Sequence, residues 1–357
     1  MNTKIKWLRD KINGLNMQGM IVSNPINVRY LTGIDAEGIL LITRKENFYI
    51  TDSRYIEEVN KILTIDDGIV VYNISNLCRE DYENFFLFCE NVGFEEKYVT
   101  YYMYKEHKQK YQINNFEETE NLLEKQRMLK DEDEIEKIKT ACKITDECFE
   151  YLKGYIKTGR TEKQIAIEIE KFFVENGADG LAFDTIVASG KNSSKPHAKP
   201  SDRIIQSGDI LTIDMGCKYK GYCSDMTRTI FVGHVPENMK NVYDLVLKNQ
   251  IQVLEELKEG SNIRSISKNV EYSLKLNGYT LLHSLGHGVG LEVHEIPYIN
   301  TKHDYNLREN MVIAIEPGVY IPDSFGVRIE DTVLITKNGC EILTKSDKNY
   351  VIVDKEV

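Results

Sequence analysis

Apolar residues recur every three or four positions in two long stretches that share one layout. Ile135, Ile138, Cys142, Thr145, Cys148, Phe149 and Leu152 form one stripe, which predicts a helix with one buried face. A second helix is expected from Thr161, where Thr161 and Gln164 have capping-box spacing, to Gly177, a residue suited to a left-handed terminator. Strand-length apolar runs follow at 182–188, 210–215 and 227–232. The order then repeats. A helix over 239–257 stops at Gly260. Another, with Ile263, Ile266, Val270 and Leu274 on one face, stops at Gly278, and strand-like runs follow at 311–315 and 326–336. Asp214 and Asp225 in the first stretch, and Glu316 and Glu330 in the second, fall at similar places. We read a duplicated unit with one site where its halves meet. The competing reading is a chance match between two common layouts.

Residues 1–120 read as a smaller α/β domain. Helical spacing covers 5–15, and short apolar runs of strand length lie at 20–23, 38–43, 47–51 and 68–72. The aromatic run 82–89 fits either a helix or a strand. The polar segment NNFEETEN gives way to the first long stripe, which predicts domains at 1–123 and 124–357. A length of 357 residues agrees with two domains. The 41% hydrophobic and 28% charged content is ordinary for a chain that buries a core. No apolar run is long enough to span a membrane, and MNTKIKWLRDKING has no apolar core of a secretory signal. The seven Cys are scattered and never spaced CxxC, so neither a disulfide framework nor a thiolate zinc site is expected, and a reducing, cytoplasmic setting is. A net charge of −11 argues against a nucleic-acid binder and leaves room for cationic partners, including metal ions.

Four segments carry candidate chemistry. In ILTIDMGCKYKGYCSDMTRTI, Asp214 ends an apolar strand, where an ionised group is costly unless paired. With Tyr219–Lys220 as a hairpin tip, Asp214 and Asp225 stand directly opposite, with Cβ atoms about 4.5–5.5 Å apart. Two facing carboxylates ask for a cation or a shared proton. Either Asp alone would also fit an exposed hairpin. In LLHSLGHGVGLEVHEIP, His283, His287 and His294 gather three of the seven histidines. His287 is a candidate ligand, since the glycines around it allow close backbone approach; a hydrogen-bonded core histidine is the alternative. The segment is not HExxH, so the zincin pattern is excluded. In MVIAIEPGVY, Glu316 closes an apolar strand before a turn. In GVRIEDTVLIT, Arg328 and Glu330 share one strand face, as a surface ion pair also would. Taken together, the four carboxylates carry four negative charges, which two divalent cations balance. Oxygen-rich ligation with one imidazole suits Mn²⁺, Co²⁺, Fe²⁺ or Zn²⁺. Shared carboxylates would hold two ions about 3.5–4 Å apart, as in two-metal hydrolases, and acidify a water between them.

PHAKPSD, IDMGCKYKGYCSDMTRT, HSLGHGVGLEVHE, IEPGVY and VRIEDTVLIT resemble the pita-bread metallopeptidases, and within them the Xaa-Pro dipeptidases (prolidases) and aminopeptidases P. NPINVRYLTGID and ITDSRY resemble the creatinase-type N-terminal domain. The resemblance covers nearly the whole chain. It implies an α/β (α+β) architecture, a creatinase-type domain followed by a pita-bread domain. It implies Asp214 as ligand of one metal ion, Asp225 and Glu330 as ligands of both, and His287 and Glu316 as ligands of the other. Mn²⁺ is the first expectation. Glu316 corresponds to the residue that moves a proton, and His197 to the histidine near the scissile bond. His294 corresponds to the one that stabilises the tetrahedral intermediate, and His283 to the one lining the proline side. Arg328 corresponds to an arginine that orients a ligand or the substrate. No ligand position departs from the pattern, which disfavours a non-catalytic binding protein of the same fold. The expected substrates are small proline-containing peptides. The alternative is a broader aminopeptidase releasing Met or other small residues, although the long N-terminal domain disfavours a plain methionine aminopeptidase. A homodimer is expected on the resemblance.

Overall fold

The computed structural model describes residues 3–63 and 67–355. The chain divides into two compact units, Met1–Arg127 and Met128–Val357.

In the first unit, short apolar runs pair into one six-stranded mixed sheet. Its strands are β1 (Gly19–Val22), β2 (Ile39–Thr43), β3 (Asn47–Thr51), β4 (Ile69–Asn73), β5 (Asn91–Phe94) and β6 (Asn115–Glu118), in the order β4-β3-β2-β1-β5-β6. Pairings of β1 with β2 and of β2 with β3 are antiparallel, while β3–β4, β1–β5 and β5–β6 are parallel. Ile21, Leu41, Val92, Phe94 and Phe116 build its core with aromatic residues of the connecting segments. The ambiguous run at 82–89 begins inside a helix, Arg79–Phe85.

The second unit is the duplicated one. Helix Glu132–Tyr155 starts at a capping box of Asp131 and Glu134 and buries the expected stripe. Helix Glu162–Glu175 starts at the Thr161–Gln164 capping box. Strands β7 (Gly180–Leu181), β8 (Ile186–Ser189), β9 (Ile210–Met215), β10 (Cys217–Tyr219), β11 (Tyr222–Cys223) and β12 (Met226–Val232) follow. The run expected as one strand at 182–188 is thus interrupted, and Phe183 to Thr185 face a cavity instead. The second half repeats the order. Helices Glu237–Glu256 and Ile263–Leu276 lead into β13 (Gly286–Gly288), β14 (Glu295–Ile299), β15 (Val312–Ile315), β16 (Gly318–Ile321), β17 (Phe325–Arg328) and β18 (Asp331–Ile335), with β19 (Cys340–Ile342) and β20 (Ile352–Val353) after them.

Each half carries the same three-strand motif. The order β8-β9-β12 matches β13-β15-β18, and all neighbours are antiparallel. Two cores result: Phe149, Leu152, Ile165, Ile169 and Phe173 against β8, β9 and β12, and Val246, Val253, Ile266, Val270 and Leu274 with β15 and β18, joined by Ile210 and Phe231 of the first half. Asp225 immediately precedes β12 and Glu330 immediately precedes β18, so the two acids occupy equivalent places. Among the described residues no helix is long and apolar enough to cross a membrane.

Candidate active site

The tip of the hairpin between Asp214 and Asp225 is Lys220–Gly221. Lys218 pairs with Cys223, Tyr219 with Tyr222, and Asp214 with Thr227. The direct opposition of Asp214 and Asp225 expected from a Tyr219–Lys220 tip is therefore corrected. Lys220 and Gly221 both have positive φ, 47° and 84°, as a two-residue type I′ turn requires. The change moves each partner by two residues and so preserves side-chain face. Asp225 remains on the face of Asp214 as its diagonal neighbour, and Thr227 takes the place opposite. Gly216 is needed where the chain leaves β9, because a Cβ there would lie 2.0 Å from the Ser224 carbonyl oxygen.

The two halves are stitched at the site itself. Glu330 N–H donates to the Thr227 carbonyl at 3.1 Å, and Thr332 Oγ1 donates to the Asp225 carbonyl at 2.7 Å. On the opposite face of β12, Arg228 donates to the carbonyls of Thr227 and Glu330. Its charge is met by Asp331 at 2.7 Å, and both side chains are almost fully buried. Residue spacing does not mark this pair, although an arginine inside the apolar strand MTRTIFV is itself a signal of a buried partner.

All nine candidate residues line one cavity of about 570 Å³: His197, Asp214, Asp225, His283, His287, His294, Glu316, Arg328 and Glu330. At its centre Asp225, His287 and Glu330 place ligand atoms within 4.8 Å of one another. His287 Nε2 lies 3.5 Å from Asp225 Oδ2 and 3.7 Å from Glu316 Oε1. Atoms sharing one ion through bonds of about 2.0–2.2 Å lie roughly 3–4 Å apart. With Nδ1 donating to the Gly288 carbonyl at 3.1 Å, His287 turns the Nε2 lone pair toward the acids. Burial, and then His294, push its pKa down to about 3, so the ring is neutral.

The carboxylates repel one another. Burial and the neighbouring Glu330 and Asp214 hold Asp225 well above the usual carboxylate range. Burial, Asp214 and Glu316 do the same to Glu330. Burial pushes Glu316 up to about 8 against the attraction of Arg328. Asp214 gives Oδ2 to Arg328 Nη2 at 2.6 Å, while its buried Oδ1 has no hydrogen-bond partner. A buried carboxylate oxygen without a donor, beside three more acids and a neutral imidazole, fits a divalent cation.

Arg328 organises the wall. Besides Asp214 it donates to Thr227 Oγ1, Tyr320 Oη and the Pro196 carbonyl. Thr227 Oγ1 in turn donates to Glu330 Oε2 at 2.7 Å. Tyr320 Oη lies 2.9 Å from His283 Nε2, and His283 Nδ1 lies 2.8 Å from the Ser284 carbonyl. Tyr320 accepts from Arg328, so it donates to His283, whose tautomer is thereby set. Burial lowers the His283 pKa to about 4. His197 and His294 are the exposed imidazoles of the cavity, and the His294 ring packs edge-on to His287 with centroids 4.3 Å apart.

Glu162 fixes the loop that carries His197. Its fully buried carboxylate accepts from Ser189 N and Oγ, Asn192 Nδ2, and Ser201 N and Oγ, at 2.6–2.9 Å. Its place in the first turn of a helix also suits the helix dipole. Glu162→Ala leaves these donors unmet and is expected to cost about 3 kcal/mol, read as a fall in Tm of about 6–12 °C. A Tm within 2 °C of the parent, measured by calorimetry, would refute the role.

A duplicated helix-pair-and-sheet unit whose acids and histidines line one cavity matches the pita-bread metallopeptidase fold. The model for metallopeptidase family M24 matches residues 136–337, that for the creatinase/prolidase N-terminal domain matches residues 4–129, and the chain belongs to family M24. It is similar to the Xaa-Pro dipeptidase of Pyrococcus horikoshii, 36% identical over 98% of this chain and 99% of that one. Among solved structures it is similar to an Xaa-Pro dipeptidase from Bacillus anthracis, with a TM-score of 0.93 and 36% identity over 98% and 99% of the two chains. It is also similar to an X-Pro aminopeptidase from Thermotoga maritima, with a TM-score of 0.87 and 32% identity over 96% and 100%.

Proposed function

We propose that the cage holds two divalent metal ions and that the enzyme hydrolyses the bond between an N-terminal residue and a following proline. The observation that carries this is the buried cluster of Asp225, Glu330 and His287, with the part-buried Asp214 and Glu316 lining the same cavity and one Asp214 oxygen without a donor. Asp225 and Glu330 would serve both ions, Asp214 would complete one site, and His287 and Glu316 the other. Four carboxylates balance two dications, and the donor set suits Mn²⁺, with Co²⁺, Fe²⁺ or Zn²⁺ as alternatives. Bound there, the ions would supply Lewis acidity, which acidifies water and polarises the scissile carbonyl.

The chain's own groups do the rest. His294 and His197 offer N–H donors to the oxygen where negative charge develops, a contribution often worth about 3–4 kcal/mol. Glu316 takes a proton and returns it to the departing proline nitrogen, which leaves only when protonated. Arg328 holds Asp214 and, through Thr227, Glu330. Tyr320 orients His283 on the cavity wall, where burial keeps the ring neutral. An Xaa-Pro amide has no N–H, so a protease that grips extended backbone loses that contact. A half-closed cavity that grips a short peptide by its ends does not depend on it.

The test is a panel of Ala-Pro, Ala-Pro-Ala and Met-Ala-Ser, offered to chelated protein and to protein reloaded with Mn²⁺. Cleavage of the proline peptides only after reloading is expected. Full turnover of the chelated protein would contradict the metal role. Preference for Met-Ala-Ser would shift the reading to a broader aminopeptidase, and the ratio of Ala-Pro to Ala-Pro-Ala separates dipeptidase from aminopeptidase P.

A further inference from the structure

We propose that Lys199 recognises the free C-terminal carboxylate of the substrate, which makes dipeptides the preferred class. The inference rests on the Xaa-Pro reading and assigns its substrate length. A carboxylate entering a half-closed cavity loses hydration and needs a cation or donors in return. Two permanent cations line this cavity, Arg328 and Lys199. Arg328 is committed: Nε is held by Thr227, Nη1 by Tyr320 and Pro196, and Nη2 by Asp214. His283 and His287 each have Nδ1 against a backbone carbonyl. Lys199 is exposed on the lining, and among the described residues its ammonium has neither an ion-pair nor a hydrogen-bond partner.

The backbone that presents Lys199 is fixed while its side chain is not. The Lys199 carbonyl accepts from Asn192 Nδ2 at 3.3 Å. Upstream, the Pro196 carbonyl is held by Arg328; downstream, Ser201 is held by Glu162. A flexible four-carbon stem on a pinned loop suits capture of a small anion at a rim. Longer peptides would carry their carboxylate past that point and gain nothing from it.

The experiment compares Ala-Pro with Ala-Pro-amide on the metal-loaded full chain, in the parent and in Lys199→Met. The parent is expected to favour the acid by about tenfold in kcat/KM, carried mainly by KM. Lys199→Met is expected to bring the ratio close to one, and Lys199→Arg to restore most of it. An acid-to-amide ratio that is the same in the parent and in Lys199→Met overturns the role of Lys199. If neither compound is cleaved, while Met-Ala-Ser is, the Xaa-Pro reading falls and this inference falls with it.

Discussion

Glu330→Gln, or Asp225→Asn, is expected to remove at least one metal ion per chain and to lower kcat/KM on Ala-Pro by about 10³-fold or more, equivalent to roughly 4 kcal/mol. Both acids are buried, 2% and 4% exposed, at equivalent places in the two halves. An amide keeps the shape and removes the charge, so the strands and the contact with Thr227 Oγ1 survive while the electrostatic reason for a dication is weakened. The same substitution has the opposite effect on the empty cage. Each acid is held well above the usual range by burial and by its acidic neighbours, so neutralising one relieves repulsion. The chelated variant is expected to melt at or above the chelated parent, whereas the metal-loaded parent melts highest. Elemental analysis, kinetics and calorimetry on the same preparations check all three. Two ions retained with normal turnover would refute the assignment.

The proposed ligand set is legible where a member breaks an apolar context. Asp214 and Glu316 close apolar strands, and His287 sits among glycines beside buried positions. Motif resemblance then supplied His197, which nothing in its own spacing marks. The hairpin register was not legible from alternation alone: tips at Tyr219–Lys220 and Lys220–Gly221 leave the same faces buried, and only backbone torsions at the tip separate them. In the first unit, β5 and β6 escaped notice because NVGF and NFEE carry little alternation, and β6 buries only Phe116. Glu162 and Lys199 were also missed. Their roles come from loops folding back on a helix start and a cavity rim, contacts distant along the chain that no local pattern encodes.

Removing the metal ions should leave a protein whose stability falls as pH rises from 6.5 to 8.5. Asp225, Glu330 and Glu316 have folded-state pKa values above their unfolded ones, the last at about 8. Groups raised in this way bind more protons when folded, so their stabilisation is complete at low pH and is lost as pH rises toward the folded value. His283 and His287 act in the other direction. Their values of about 4 and 3 mean that folding keeps them neutral, and the stability they contribute is lost as pH falls below about 6.5. Well above 6.5 the histidines are neutral in both states, and the cage acids set the slope, with a smaller part below pH 7 from Glu95, which burial pushes up to about 7. For Glu316 the change between pH 6.5 and 8 is at most about 2 kcal/mol, or a Tm lower by roughly 4–8 °C. Divalent ions in excess would reverse this, because they favour the ionised cage and stabilise by mass action, about 4 kcal/mol at a thousandfold excess over Kd. Calorimetry of chelated and Mn²⁺-saturated protein across that pH range provides the comparison. A chelated protein with a flat or rising Tm above pH 6.5 would mean that burial and the neighbouring acids do not penalise the ionised cage, and the case for a cation there would lose its electrostatic basis.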